Sequence, residues 1–226
     1  MPLLDFHTHR PTAEGVITPR CFGIHPWVLA ARAISVSRTS VNDSVMLAAQ
    51  DGLWEGFMLA AEGAQMIGEC GLDKCCDTPW ERQMEAFVRQ IEIAEQLGKP
   101  LVIHCVKAFN ELMELRKAHK RTPWVVHGFT GSTELYNQLL NTDIEVSFGA
   151  AILDKRRKKV RETLSIADPD RIFLETDDSG ADIREIYHAA AEILGIDNLE
   201  ERIMRHWVRI QTFLADGKPI NLKPIN

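Results

Sequence analysis

Two histidines stand one residue apart near the start of the sequence, in "LLDFHTHR" over positions 3–10. On a β-strand, residues two apart project from the same face. His7 and His9 would then point side by side, with Asp5 one step further back on that face. Two imidazoles aimed at one spot are the beginning of a metal site. A solvated pair at a strand end has the same spacing, so the pair becomes informative only if more ligands converge on it.

Ligand-type residues recur at the ends of short apolar, β-branched runs. "RCFGIHP" carries His25, "QMIGECG" Glu69, "PLVIHC" His104, "PWVVHGF" His127 and "RIFLETD" Asp177, while "IEVSFGA" offers no evident ligand. A lone histidine at a strand end is usually structural, and a lone Glu69 or Asp177 would usually cap a following helix. Their joint placement at one end of successive strands is what argues for a metal centre.

The elements that must position these residues follow from the same runs. Together with "PLLDFH" they make seven, each followed by a helical pattern. Near-continuous apolar strands alternating with helices indicate a buried parallel sheet. Seven of them in one domain over residues 1–226 predict an α/β fold of the TIM-like (β/α) barrel type, seven-stranded or distorted because no eighth strand is evident. The strand C-termini of such a barrel share one mouth, where active sites sit.

In "DTPWERQMEAFVRQIEIAEQLGKP", Thr78 is expected to cap a helix, with Pro79 in its first turn and Glu81 completing a capping box. Met84, Phe87, Val88, Ile91, Ala94 and Leu97 form an apolar stripe at helical spacing, and Gly98 and Pro100 stop it. Two more helices are expected at about 182–194 and 199–214. Residues 30–62, polar and then alanine-rich, support one helix and little else.

The 226 residues are 45% hydrophobic and 26% charged, an ordinary globular composition. No apolar run is long enough to span a membrane, and the first residues carry no basic or apolar leader pattern. Five cysteines, an odd number that includes the vicinal pair Cys75–Cys76, read as reduced thiols in a cytoplasmic protein. The net charge of −6 argues against a broad nucleic-acid surface without excluding a local one.

The ordered segments "DFHTHR", "GIHPW", "IGECGLD", "LVIHC", "VVHGFTGS" and "FLETD" resemble the TatD family of metal-dependent hydrolases, within the amidohydrolase-like barrels. The resemblance runs over roughly residues 1–180 and implies a two-metal site. One ion would be held by His7, His9 and Asp177 and the other by His104 and His127, with Glu69 bridging them. Imidazoles and carboxylates without thiolate suit Zn²⁺, Mn²⁺ or Mg²⁺. Asp177 would orient and deprotonate the attacking water, with Glu69 as its catalytic partner, and His25, Asp73 and Lys107 would contact substrate. The resemblance implies phosphodiester cleavage in single-stranded or nicked DNA. Hydrolysis of a small-molecule amide, ester or phosphoester on the same metals is the alternative. A barrel without catalysis would have little need for all six ligands.

The departures from the family pattern fall in the substrate region. "CVKAF" follows His104 in place of a Ser-Arg-Asp-like run, and Lys107 supplies a point charge without a bidentate phosphate contact. Trp27 replaces the histidine expected after "GIHP" and would stack on a base or pack on the barrel rim. After Asp177 the chain lacks a loop with an Arg-Asn-x-Pro run and enters "DDSGADIREIYHAA". The basic run "DKRRKKVR", 154–161, follows the sixth strand. Lys155, Arg156 and Lys158 would bind DNA backbone there or form a solvated face. His119, His188 and His206 read as surface or second-layer groups, and Cys70 and Cys105 as core.

Overall fold

A computed structural model describes residues 1–30, 34–38, 45–47 and 53–216. All seven expected runs contain strands: Leu3–Leu4 (β1), Cys21–Gly23 (β3), Met66–Asp73 (β6), Leu101–Val106 (β7), Trp124–Val126 (β8), Ile144–Phe148 (β9) and Ile172–Leu174 (β10). Three further strands lie outside them. Val16–Ile17 (β2) pairs in parallel with β1. Ile34–Arg38 (β4) and Val45–Leu47 (β5) pair antiparallel with each other, and β4 adds antiparallel to β3.

The larger sheet runs β10-β9-β8-β7-β6-β3-β4-β5, with every pair from β10 to β3 parallel. The β1 chain continues alongside β10: Phe6 N–H donates to Leu174 O at 3.0 Å, Asp177 N–H to His7 O at 3.0 Å, and His9 N–H to Asp177 O at 3.2 Å. The parallel strands therefore follow the order β2-β1-β10-β9-β8-β7-β6-β3, a TIM-type arrangement with β2 as its short eighth member. Among the described residues no ladder joins β2 to β3, so the distortion expected from the sequence lies at this seam. A two-residue strand leaves almost no apolar run to read, which is why β2 was not evident.

Helices Leu53–Glu62 (α1), Trp80–Leu97 (α2), Phe109–Ala118 (α3), Thr133–Asn141 (α4), Lys158–Ser165 (α5), Ile183–Leu194 (α6) and Leu199–Asp216 (α7) alternate with the strands. The expected helix in 30–62 is α1, while β4 and β5 interrupt the stretch before it. Expected residues 31–33, 39–44 and 48–52 lie outside the described set. Strand residues such as Ile67, Val102, Ile103, Val125 and Val146 are fully buried, as strands covered on both faces require. On the α7 side, Phe6 stacks on Phe173 at 4.2 Å, and both meet Trp207 edge-on. Burial of each such ring contributes roughly 1.5–3 kcal/mol.

The expected capping box of α2 is not formed. Pro79 is the N-cap without a side-chain bond, and the Thr78 hydroxyl instead donates to Pro26 O at 2.6 Å. That bond ties the start of α2 to the chain leaving β3, and the helix begins after Pro79, one residue beyond the expected cap. The C-terminal end is as expected: Gly98 adopts the left-handed conformation and donates its N–H to Ala94 O.

Candidate metal centre

Each strand end brings its side chain to the mouth for a local reason. His7 and His9 leave the strand beside β10 on one face, their rings 4.9 Å apart. Glu69 sits inside β6 rather than at its end. Between Ile67 and Cys70 the register against β7 slips, because three residues of β6 span two of β7. Such a bulge re-aims one side chain, here that of Glu69. Only glycine fits before it: a Cβ on Gly68 would lie 2.3 Å from Val102 O, and a Cβ on Gly23 would lie 2.4 Å from the Gly68 carbonyl carbon.

Glu69 is the hub of the cluster. Its Oε2 lies 3.1 Å from His9 Nε2 and 3.5 Å from His7 Nε2, and its Oε1 lies 2.5 Å from His127 Nε2. Burial opposes ionisation of Glu69, but the imidazoles of His127, His7 and His9 around it outweigh that and hold the carboxyl well below its ordinary pKa. Asp177 Oδ1 lies 3.4 Å from His9 Nε2 and 3.9 Å from His7 Nε2. Burial raises the pKa of Asp177, and the charges of Glu175 and Glu69 add to that against His127 and His7. One ligand atom from each of His7, His9, Glu69 and Asp177 falls within 4.8 Å of the others.

The expected second ligand pair is arranged differently. His104 groups with His25 and Glu69, and His127 groups with Glu175 and Asp177. The His104 and His127 rings are 5.7 Å apart. His104 Nε2 lies 3.2 Å from Asp73 Oδ2, which also accepts the Trp27 indole N–H at 2.7 Å. Burial and the His127 charge lower the pKa of His104. His25 accepts the Trp27 backbone N–H at Nδ1, 3.2 Å away, which leaves its proton on Nε2. Burial, then the charge of His104, push His25 down to about 4. A neutral His25 can donate from Nε2 at neutral pH.

Glu175 was not expected. It is fully buried, with Oε1 3.4 Å from His127 Nδ1 and accepting Gly128 N–H at 2.6 Å, while Oε2 accepts the Ser147 hydroxyl at 2.5 Å. The sixth run therefore contributes Ser147, through a carboxylate. The available signal was position: Glu175 precedes Asp177 by two on an apolar strand. Burial opposes the proton on His127, but the carboxylates of Glu175 and Glu69 on either side prevail and raise its pKa well above the ordinary value.

Two buried glutamines of α2, seven residues apart on one helix face, hold the strands behind the site. Gln90 bonds both N–H and C=O of Ile24, next to His25, and Gln83 bonds both N–H and C=O of Asp73. Asp5 likewise accepts the Thr176 N–H and hydroxyl, fixing the turn that carries Asp177.

The donor set fits a divalent cation. His7 is 1% exposed, and neither ring nitrogen has a hydrogen-bond partner. A buried polar atom without a partner costs about 1–3 kcal/mol, and a cation held at this position would satisfy one of the two. Imidazole and carboxylate suit Zn²⁺, Mn²⁺ and Mg²⁺.

The remaining candidates are more dispersed. Lys107 is exposed just past β7 on a left-handed backbone (φ 54°) and makes no side-chain hydrogen bond among the described residues. An open cavity of about 520 Å³ adjoins Asp177 and is lined by Gly149, Asp154, Arg157, Glu175 and Ser179 among others. Of the basic run, Arg157 lines this cavity, whereas Lys155, Arg156 and Lys158 do not. Arg156 folds back on Asp154, with Nε and Nη2 each 3.0 Å from a carboxylate oxygen. Among the other histidines, His188 is exposed and His119 is half-buried beside Glu95. His206 is not a surface group: it is buried, 2.7 Å from Glu145. Cys70 is core and Cys105 packs against it.

Known proteins resemble this chain in sequence and in fold. The chain is 31% identical over 170 residues to the 3'-5' ssDNA/RNA exonuclease TatD of Musicola paradisiaca, covering 69% of this chain and 54% of that protein. It is 30% identical over 138 residues to the uncharacterized metal-dependent hydrolase YabD of Bacillus subtilis, covering 60% of this chain and 54% of that protein. The chain thus spans about half the length of these relatives. The crystal structure of YJJV, a TatD homologue of Escherichia coli K12, superposes with a TM-score of 0.68 at 20% identity, covering 88% of this chain and 78% of that one. The sequence profile of the family described as TatD related DNase matches residues 13–192, well over half of the chain, and the chain belongs to that family.

Proposed function

We propose that this chain is a hydrolase that uses two divalent metal ions to cleave phosphodiester bonds, with single-stranded DNA as its leading substrate. The convergence of His7, His9, Glu69 and Asp177 on one point carries the reading. His7, His9 and Asp177 would hold one ion and His104 and His127 a second, with Glu69 shared by both groups of ligands. Bound there, the ions supply a lower pKa for a coordinated water and neutralise charge on the leaving oxygen.

The chain's own groups do the rest. Glu69 stays ionised between three imidazoles and keeps them in place. Asp177, on the edge of the 520 Å³ cavity, would orient the attacking water and take its proton. His25 donates from Nε2 to a phosphate oxygen, and Arg157 lies against the strand from the cavity side. The names of the relatives agree with this chemistry: a 3'-5' RNA nuclease, TATDN2 of Homo sapiens, is 37% identical over 120 residues, covering 50% of this chain and 16% of that protein. Among the described residues no helix is long and apolar enough to cross a membrane. The five free cysteines support a cytoplasmic location.

The test is cleavage of a short, end-labelled single-stranded DNA with Mg²⁺, Mn²⁺ or Zn²⁺ added, and Asp177→Asn as the control. Metal-dependent cutting that falls by about 10²–10⁴ in the variant is expected. Absence of cutting by a protein that still binds metal would move the substrate to small esters, amides or phosphoesters, a reading that the net charge of −6 favours.

A further inference from the structure

Trp27 stands at the rim of the metal centre with 59% of its surface exposed. Its ring is nevertheless fixed. The indole N–H donates to Asp73 Oδ2 at 2.7 Å, and Asp73 is only 3% exposed, its other oxygen taken by Cys75 N–H at 2.7 Å. The same Asp73 oxygen lies 3.2 Å from His104 Nε2. One buried carboxylate therefore sets the position of the indole relative to a histidine of the site. The indole centroid lies 4.7 Å from the His25 ring and 5.5 Å from the His104 ring, at interplanar angles of 79° and 77°. Neither imidazole is stacked on the indole.

Isolated exposed apolar side chains are common and need no explanation. This one differs in being oriented by a charge-assisted bond, which is strong and directional, beside the reaction centre. Every nucleobase has a π-face, and stacking on an aromatic side chain tolerates any sequence. A base in a duplex has both faces covered by its neighbours; an unpaired base does not.

Resting on the nuclease reading above, we propose that Trp27 is a base-stacking platform. An unpaired nucleobase adjoining the scissile phosphodiester lies on the indole, beside His25 and His104. Trp27 thereby selects single-stranded over paired substrate. Stacking holds the strand by its bases, so the site needs few cations and is compatible with an acidic chain.

The experiment measures binding of a fluorescent phosphorothioate tetrathymidylate, which resists cleavage, to the metal-loaded protein. It is repeated with oligonucleotides in which each thymine in turn is replaced by an abasic unit. Removal of one particular base should weaken binding by the wild type about fivefold or more. Trp27→Ala should bind the intact oligonucleotide about tenfold more weakly, within the range for one stacked base, and should be indifferent to the loss of that base. Trp27→Phe keeps a π-face without the N–H and should stay within about threefold of wild type.

A wild type indifferent to every single abasic unit overturns the proposal without any variant. So does Trp27→Phe binding as weakly as Trp27→Ala, which would make the N–H anchor the group that matters. Wild-type binding that is unchanged in Trp27→Ala overturns the platform alone. A wild type that neither binds nor cleaves any oligonucleotide overturns the nuclease reading and the platform together.

Discussion

Glu175 Oε1 lies 3.4 Å from His127 Nδ1, on the opposite edge of the imidazole from Glu69, whose Oε1 is 2.5 Å from Nε2. His127 is thus flanked from behind by a buried carboxylate. Partners of this kind set the tautomer and basicity of a metal-ligating histidine, and their loss typically costs 10–100-fold in affinity or activity. Glu175→Gln should weaken metal binding by about that factor, read by titration calorimetry. The fold should persist, because the amide can still accept from Gly128 N–H and meet the Ser147 hydroxyl.

Metal should stabilise the protein. Ligand that binds only the folded state adds about 2.7 kcal/mol at one hundred times its dissociation constant. The melting temperature should therefore rise with added Mn²⁺ or Zn²⁺ and fall back with EDTA. In His7→Ala, which removes the imidazole whose two nitrogens lack partners, the shift should shrink strongly. An equal shift in His7→Ala would place the cation elsewhere.

Metal affinity should also depend on pH. Hydrogen bonding to Glu69 raises the pKa of His9 above its ordinary 6.5 despite burial. Cations and protons therefore compete for His9, and affinity should climb as pH rises past 6.5. Proton release on binding, measured in two buffers of different ionisation enthalpy, checks this.

Arg157 is the cation of the basic run that lines the cavity beside Asp177. Arg157→Gln should weaken oligonucleotide binding and reduce the salt dependence of log K by about 1. Lys155→Gln, on an exposed residue outside the cavity, should leave the salt slope within error of wild type.

Far from the mouth, Glu145 is buried against His206 and Arg171. Burial opposes its charge, but the His206 and Arg171 side chains beside it outweigh that and depress its pKa below 4.5. Its contribution to stability is then complete above about pH 4.5 and is lost as pH falls through its folded-state value. Glu145→Gln should cost about 3 kcal/mol at pH 7. The difference from wild type should narrow below pH 4.5 in urea melts run across that range.

Much of the site was legible because strand chemistry is local. The two-residue period carried His7 and His9 to one face, and the apolar runs ending in His25, His104, His127 and Asp177 marked a shared mouth. Alternation also assigned Cys70 and Cys105 away from it. These inferences need only backbone geometry and the C-terminal rule for parallel barrels.

What the fold alone decided depends on contacts between residues distant in sequence. The bulge that turns Glu69 inward exists because β6 slips against β7 and because Gly68 admits Val102 so closely. The cap of α2 falls at Pro79 rather than at Thr78, whose hydroxyl bonds the carbonyl of Pro26, 52 residues away. Asp73 is shared by His104 and Trp27, Glu175 stands behind His127, and Arg157 rather than its neighbours meets the cavity. Hydrogen-bond partners are set by which atoms are buried together, and burial is a property of the packed chain rather than of any segment of it.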